Sequence, residues 1–147
     1  MKADPDIVWK ATVAAALLRQ SRWPGAAATG VALLAIAGAA LSLATGRPAA
    51  AVANLLSLAA GVAAIWLTIR VSFDAELFAA LASDMDLAAF DRAMLELGLM
   101  PGDRAGRVLE PRIAGAMRLM KLQVLTLAIE VAMILVAGWL ACRTGAP

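Results

Sequence analysis

The feature that most constrains the fold is a long apolar run over residues 121–143, KLQVLTLAIEVAMILVAGWLACR. About 20 apolar residues, each rising 1.5 Å along a helix, match the ~30 Å hydrocarbon core of a lipid bilayer. Lys121 flanks the run on one side, and Trp139 and Arg143 flank it on the other, as is typical of membrane boundaries. A single acid, Glu130, lies near the middle. The run therefore predicts a membrane-spanning helix that carries a carboxyl group at depth.

Two further apolar runs, residues 26–45 and 49–69, predict two more spans. Between them, Gly46-Arg47-Pro48 predicts a tight turn, so that residues 24–70 form a transmembrane helical hairpin. Small residues recur at every fourth position in both runs, which lets helix backbones approach closely. These residues are Gly38, Ser42, Gly46, Ala53, Ser57 and Gly61.

The composition agrees with a membrane protein and argues against catalysis. Hydrophobic residues make up 63% of the chain and charged residues 16%, against about 45–50% and 25% in a soluble domain. The chain has no histidine, the commonest metal ligand and the usual general base near neutral pH. Its one cysteine, Cys142, allows neither an internal disulfide nor a thiolate metal cluster. We therefore predict no enzyme activity, no metal and no cofactor.

The N-terminal residues 1–23 are predicted to form a separate amphipathic helix. Asp4-Pro5 is typical of a helix start, and Pro24-Gly25 is typical of a helix break. Such a helix either lies along the lipid headgroups or packs against the rest of the protein. A cleaved signal peptide is less favoured, because the following apolar run is longer than the core of a signal peptide.

The only long polar segment, residues 71–120, carries eight acids among basic residues and predicts amphipathic helices outside the bilayer. Its last part is expected to continue without a break into the third span, and residues 144–147 form a short tail. A seam of apolar residues spaced four and three apart predicts a face that meets a partner helix. The seam comprises Ile113, Met117, Met120 and Val124.

The basic residues predict the orientation of the chain. Of its 13 Lys and Arg residues, all except Arg47 and Arg143 precede the first span or lie between the second and third. By the positive-inside rule, the N-terminus and residues 71–120 are cytoplasmic and the C-terminus is periplasmic. The net charge of +2 then reflects membrane orientation rather than nucleic-acid binding. The sequence thus predicts an all-α integral membrane protein of the bacterial inner membrane with three transmembrane helices.

Glu130 is the first candidate functional residue, because a charge near the bilayer midplane costs roughly 2.5–3.5 kcal/mol on insertion scales. Ser57 is predicted to lie at nearly the same depth, and Asn54 about one turn further out. One interpretation is an intramembrane polar contact, within the chain or to another subunit. The alternatives are a proton or cation pathway, or a neutral carboxyl group without a function.

A second candidate site is a basic cluster before the third span, which suits anionic lipid headgroups or a partner protein. Ordinary charges that set the membrane topology are an equally good interpretation. The cluster comprises Arg104, Arg107, Arg112, Arg118 and Lys121.

The residues match no phosphate loop, nucleophile elbow, zinc-protease motif or dinucleotide fingerprint. The first hypothesis is a non-enzymatic accessory or scaffold subunit that joins a larger membrane complex through its third span and cytoplasmic helices. The alternative is a small homo-oligomeric transporter, channel or holin-like pore that uses Glu130. A membrane enzyme that acts on lipid through cytoplasmic carboxylates is a weaker third hypothesis. The expected partners are the bilayer, its anionic headgroups, and other membrane subunits or further copies of the chain.

Overall fold

The computed structural model describes residues 5–83, 87–98, 102 and 109–143, and all regular structure within these residues is helical. Three segments, Asp6–Ala44, Pro48–Ala82 and Leu109–Arg143, are long and apolar enough to cross a membrane. The prediction of an all-α chain with three such segments is confirmed. The helices are α1 (Pro5–Arg19), α2 (Arg22–Ala44), α3 (Pro48–Ala82), α4 (Leu87–Glu96) and α5 (Leu109–Arg143).

The predicted separate amphipathic helix over residues 1–23 is wrong, because the first apolar segment runs from Asp6 to Ala44. Pro24-Gly25 does not break the helix, since Pro24 lies in the first turn of α2, where a backbone N–H has no partner within the helix. The short interruption lies at Gln20 and Ser21 instead, and Ser21 keeps right-handed helical dihedral angles (φ −61°, ψ −15°).

The side chains of α1 also explain why it is not amphipathic. Its buried positions are Ala11, Ala14, Ala15 and Leu18, while its exposed positions include Trp9, Val13 and Leu17. Apolar residues therefore cover both sides of this helix, and a pattern of charged and apolar faces does not develop.

The predicted turn between the first two long segments closes through a Schellman motif. Gly46 has a positive φ of 68°, a conformation that glycine adopts without steric cost. The N–H of Gly46 donates to the carbonyl of Leu43 (3.1 Å), and the N–H of Arg47 donates to the carbonyl of Ser42 (2.8 Å). Pro48 then occupies the first position of α3, where its missing N–H is not needed.

The chain divides into two compact units. The first, here called the polar unit, comprises Met1–Gln20 and Arg70–Leu119; the second, here called the apolar unit, comprises Ser21–Ile69 and Met120–Pro147. In the polar unit, Lys10 pairs with Asp6 (2.8 Å) and Glu110 (3.0 Å) at the surface. A further ion pair in this unit, between Arg112 and Asp91 (2.7 Å), is largely buried.

The apolar unit is packed through small residues. The buried positions of α2 are spaced three and four apart, and each is glycine, alanine or serine: Gly25, Ala28, Ala32, Ala35, Ala39 and Ser42. On α3, Ala53, Ser57, Gly61 and Ala64 are buried as well. Large apolar side chains such as Leu33, Leu56 and Leu135 point outwards. This arrangement, small inside and large outside, is typical of helices that pack in lipid.

On α5, the buried positions differ from the predicted seam. Each buried residue follows the last by seven positions: Leu109, Ala116, Gln123, Glu130 and Ala137. Val124, which belonged to the predicted seam, is 50% exposed. Within this segment, the polar side chains Gln123 and Glu130 are the fully buried ones, and the seam towards a partner helix stays a prediction.

Candidate functional site

Glu130 is completely buried within the apolar unit, with 0% of its surface exposed. The hydroxyl group of Ser57, on α3, donates a hydrogen bond to the main-chain carbonyl of Glu130, on α5 (2.9 Å). Among the described residues, neither carboxyl oxygen of Glu130 has a hydrogen-bond partner. The structure thus brings Ser57 and Glu130 together, but the contact involves the backbone of Glu130 and leaves its carboxyl group unpaired.

Gly61 provides the space that the Glu130 carboxyl group occupies. A Cβ atom at position 61 would clash with Oε1 of Glu130, and it would also lie 3.1 Å from Cβ of Ala32 on α2. Helices α2, α3 and α5 therefore meet at this glycine. Any larger residue at position 61 would displace the carboxyl group or push the helices apart.

A second polar cluster in the apolar unit centres on Gln123, one heptad before Glu130. The amide nitrogen of Gln123 donates to the main-chain carbonyl of Ser21 (2.9 Å) and to the hydroxyl oxygen of Thr68 (2.8 Å). Thr68 donates in turn to the carbonyl of Ala64 (2.8 Å). Gly25 lies against this cluster, since a Cβ atom there would approach the Thr68 hydroxyl oxygen to 2.7 Å.

The sequence analysis did not select Gln123, Thr68 or Ser21. The signal that could have found Gln123 is its spacing from Glu130, because residues seven apart share one face of a helix. An inward-facing acid at position 130 places position 123 inward as well. Ser21 and Thr68 carry no comparable signal, because they contact Gln123 only through the tertiary packing.

Asn54, the third predicted intramembrane polar residue, belongs to neither cluster. Its amide nitrogen donates to the carbonyl of Ala50, one turn earlier in α3 (3.0 Å), and its side chain lies against Gly38 of α2. It therefore fills the space that Gly38 leaves within the hairpin.

The structure places the members of the predicted basic cluster in different surroundings. Arg112 pairs with Asp91, and the two side chains are only 16% and 8% exposed. Arg118 and Lys121 are exposed. Arg104 and Arg107 lie outside the described residues. Of the described members, Arg118 and Lys121 are thus the two with exposed side chains.

Gln123 gives the first testable prediction. Replacing Gln123 with leucine, which has a similar volume, is expected to destabilise the protein by about 1–2 kcal/mol, because the carbonyl of Ser21 and the hydroxyl oxygen of Thr68 lose their donor in an apolar interior. Unfolding by SDS in mixed micelles measures this loss. Leu122→Ala, at an exposed neighbouring position, is the control; an equal effect of the two changes would contradict the role of Gln123.

Chemically, the candidate site is one enclosed carboxyl group beside a cluster of neutral polar groups. Within the described parts of the chain, no three histidine, cysteine or acidic residues come close enough together to hold a metal ion. Comparison with known proteins finds no matching family model, no matching curated protein and no matching solved structure.

Proposed function

We propose that the chain is a non-enzymatic accessory or scaffold subunit of a larger complex in the bacterial inner membrane, which it joins through α5 and its cytoplasmic helices. The observation that carries this proposal is the low coverage of α5 by the rest of the chain. In the most apolar stretch of α5, 11% of the residues are buried by the rest of the chain. The corresponding stretches of Asp6–Ala44 and α3 are 28% and 33% buried.

The outward side of α5 supports the proposal further. It presents large apolar side chains, including Leu125, Leu135 and Trp139, while Gln123 and Glu130 face inwards. A partner helix can therefore pack on α5 without burying an unpaired polar group, so the free-energy cost of association in lipid is small.

In this proposal the apolar unit spans the bilayer. Each of α2, α3 and α5 contributes about 22–24 residues to it, or about 33–36 Å of helix, which is enough to cross the hydrocarbon core. The bias of basic residues favours a cytoplasmic N-terminus, cytoplasmic residues 71–120 and a periplasmic C-terminus. Arg118 and Lys121 then bind anionic headgroups, whereas Arg112 stabilises the polar unit through Asp91. At the opposite boundary, the guanidinium group of Arg143 stacks over the Trp139 ring at 4.1 Å.

Cys142 tests the orientation, because it is the only cysteine of the chain and is exposed. A membrane-impermeant maleimide is expected to label it in spheroplasts without lysis. The matched control is the double variant Ser83→Cys, Cys142→Ser, which moves the thiol to the predicted cytoplasmic side. Labelling of this variant should require lysis. The reverse pattern would contradict the proposed topology.

The assembly itself is tested on native gels after solubilisation in a mild detergent. The wild-type chain is expected to migrate with a larger complex. Replacing the exposed Leu135 and Val136 of α5 with serine should release it, whereas the same change at the exposed Leu33 and Leu34 of α2 should not. Migration of the wild-type chain as a monomer would contradict the proposal.

The second candidate function is a small homo-oligomeric transporter, channel or holin-like pore. The observation in its favour is the unpaired carboxyl group of Glu130 inside an apolar segment. Its complete burial in a single chain weighs against it, because a pore lined by Glu130 requires the helices to rearrange. Measuring proton and cation flux in proteoliposomes tests this candidate function. Equal leak through the wild type and Glu130→Gln would contradict it.

A further inference from the structure

We propose that Glu130 is a proton-binding site that holds α5 against α3 only while its carboxyl group is neutral. The ligand is a proton, and the response to its loss is separation of α5 from Gly61. This site acts within one chain and does not depend on a partner that binds α5.

The hydrogen-bond donors nearest to the Glu130 carboxyl group already serve other acceptors. A buried carboxylate is stable when hydrogen-bond donors or a countercharge face it. The hydroxyl group of Ser57 is already used by the main-chain carbonyl of Glu130, and Ala32 and Gly61 bring no polar side chain. The amide hydrogens of Gln123, one heptad away, are used by Ser21 and Thr68.

The charged residues of the apolar unit lie far from the Glu130 carboxyl group. A Cβ atom at Gly61 of α3 would meet both the Glu130 carboxyl group and Cβ of Ala32 on α2, and neither Gly61 nor Ala32 is titratable. On α5 itself, the nearest charged residues are Lys121 and Arg143, nine and thirteen positions away, or about 13 and 20 Å along the helix axis. The remaining charged residues of the apolar unit, Arg22 and Arg47, lie at the start of α2 and in the turn before α3.

Glu130 therefore acts as a proton-dependent switch between two states. In the closed state α5 packs against Gly61 of α3, and in the open state α5 has moved away from it. A neutral acid fits the space beside Gly61, whereas a carboxylate there has neither a donor nor a countercharge among the described residues and must reach water. The carboxyl group lies against Gly61 of α3 and is fully buried, so hydration requires α5 to move away from α3. Because the closed state keeps a proton that the open state releases, raising the pH favours the open state.

The test follows stability and protonation together in the full-length protein in nanodiscs. In the wild type, we expect the unfolding equilibrium constant to rise up to tenfold per pH unit over the pH range in which unfolding releases the Glu130 proton, because one proton is exchanged. Glu130→Gln, which stays neutral, should lack this slope. Glu110→Gln, a change of an exposed acid on the same helix, should retain it. Identical pH profiles of the wild type and Glu130→Gln would overturn the proposal.

Infrared spectroscopy of the wild type with isotope-labelled glutamate keeps the proposal testable even if Glu130→Gln does not fold. We expect a carbonyl stretch of a neutral carboxylic acid that exchanges slowly with deuterated solvent and disappears at the upper end of the pH range over which stability falls. A labelled carboxylate signal alone at mildly acidic pH, without the acid band, would mean that Glu130 is ionised in the closed state and would overturn the proposal.

Discussion

Replacing Gly61 with alanine is expected to destabilise the apolar unit by about 1–3 kcal/mol, the typical cost of adding a methyl group to a well-packed interior. The new Cβ atom would clash with Oε1 of Glu130 and press against Cβ of Ala32 at 3.1 Å. One helix must then shift, or the carboxyl group must leave its place. Unfolding by SDS in mixed micelles measures the change in the free energy of unfolding.

Two glycines serve as matched controls for Gly61. A Cβ atom at Gly30 or Gly138 meets nothing within 4 Å, and both residues lie inside helices. Alanine there should leave the protein unchanged or stabilise it, since alanine is the better helix former by up to about 1 kcal/mol. Shortening residue 130 in the double variant Gly61→Ala, Glu130→Ala should remove the clash. Strictly additive effects in this double-mutant cycle would contradict the contact between the two residues.

Breaking the ion pair between Asp91 and Arg112 is expected to have the largest effect in the polar unit. The side chains are 8% and 16% exposed, so Arg112→Met would remove the Arg112 countercharge from a nearly buried carboxylate. Removing one partner of a buried pair costs about 3–5 kcal/mol, and the residual exposure of Arg112 favours the lower end, about 3 kcal/mol. The cooperative unfolding transition followed by circular dichroism measures this loss.

The double variant Asp91→Leu, Arg112→Met should regain much of the lost stability, because two apolar side chains replace the pair. Glu110→Gln serves as a second control, since it weakens the surface pair between Lys10 and Glu110. The side chains of these two residues are 41% and 61% exposed. Exposed pairs contribute little, and this change should be close to neutral. A loss of stability in Arg112→Met no greater than that in Glu110→Gln would contradict the structural role of the buried pair.

The sequence was sufficient to predict the three long apolar helices and the turn at Gly46, because length, composition and turn residues act locally. It also placed Ser57 and Glu130 at similar depth, since depth follows from counting residues along two spans. It did not predict the course of α1 and α2. Pro24 looked like a helix break, but its effect depends on its position within α2, in the first turn, where proline is tolerated.

The polar contacts could not be predicted because they are tertiary. Asp91 and Arg112 lie 21 residues apart on different helices, and no local pattern links them. The hydrogen bond from Gln123 to Thr68 spans 55 residues. The buried face of α5 was not predicted for a related reason: in lipid, the most apolar face of a helix need not be its buried face. Two polar residues spaced by seven were the better guide.

The central claim is that α5 turns Gln123 and Glu130 inwards and meets another protein with its outward apolar side. Site-specific photo-crosslinking in living cells tests it most directly, with the photoreactive residue placed at the exposed Leu135, at the buried Ala137, or at the exposed Leu33 of α2. The account predicts a heavier protein adduct from position 135, and none from positions 137 and 33. Absence of a protein adduct at position 135, or equal adducts at all three positions, would contradict it.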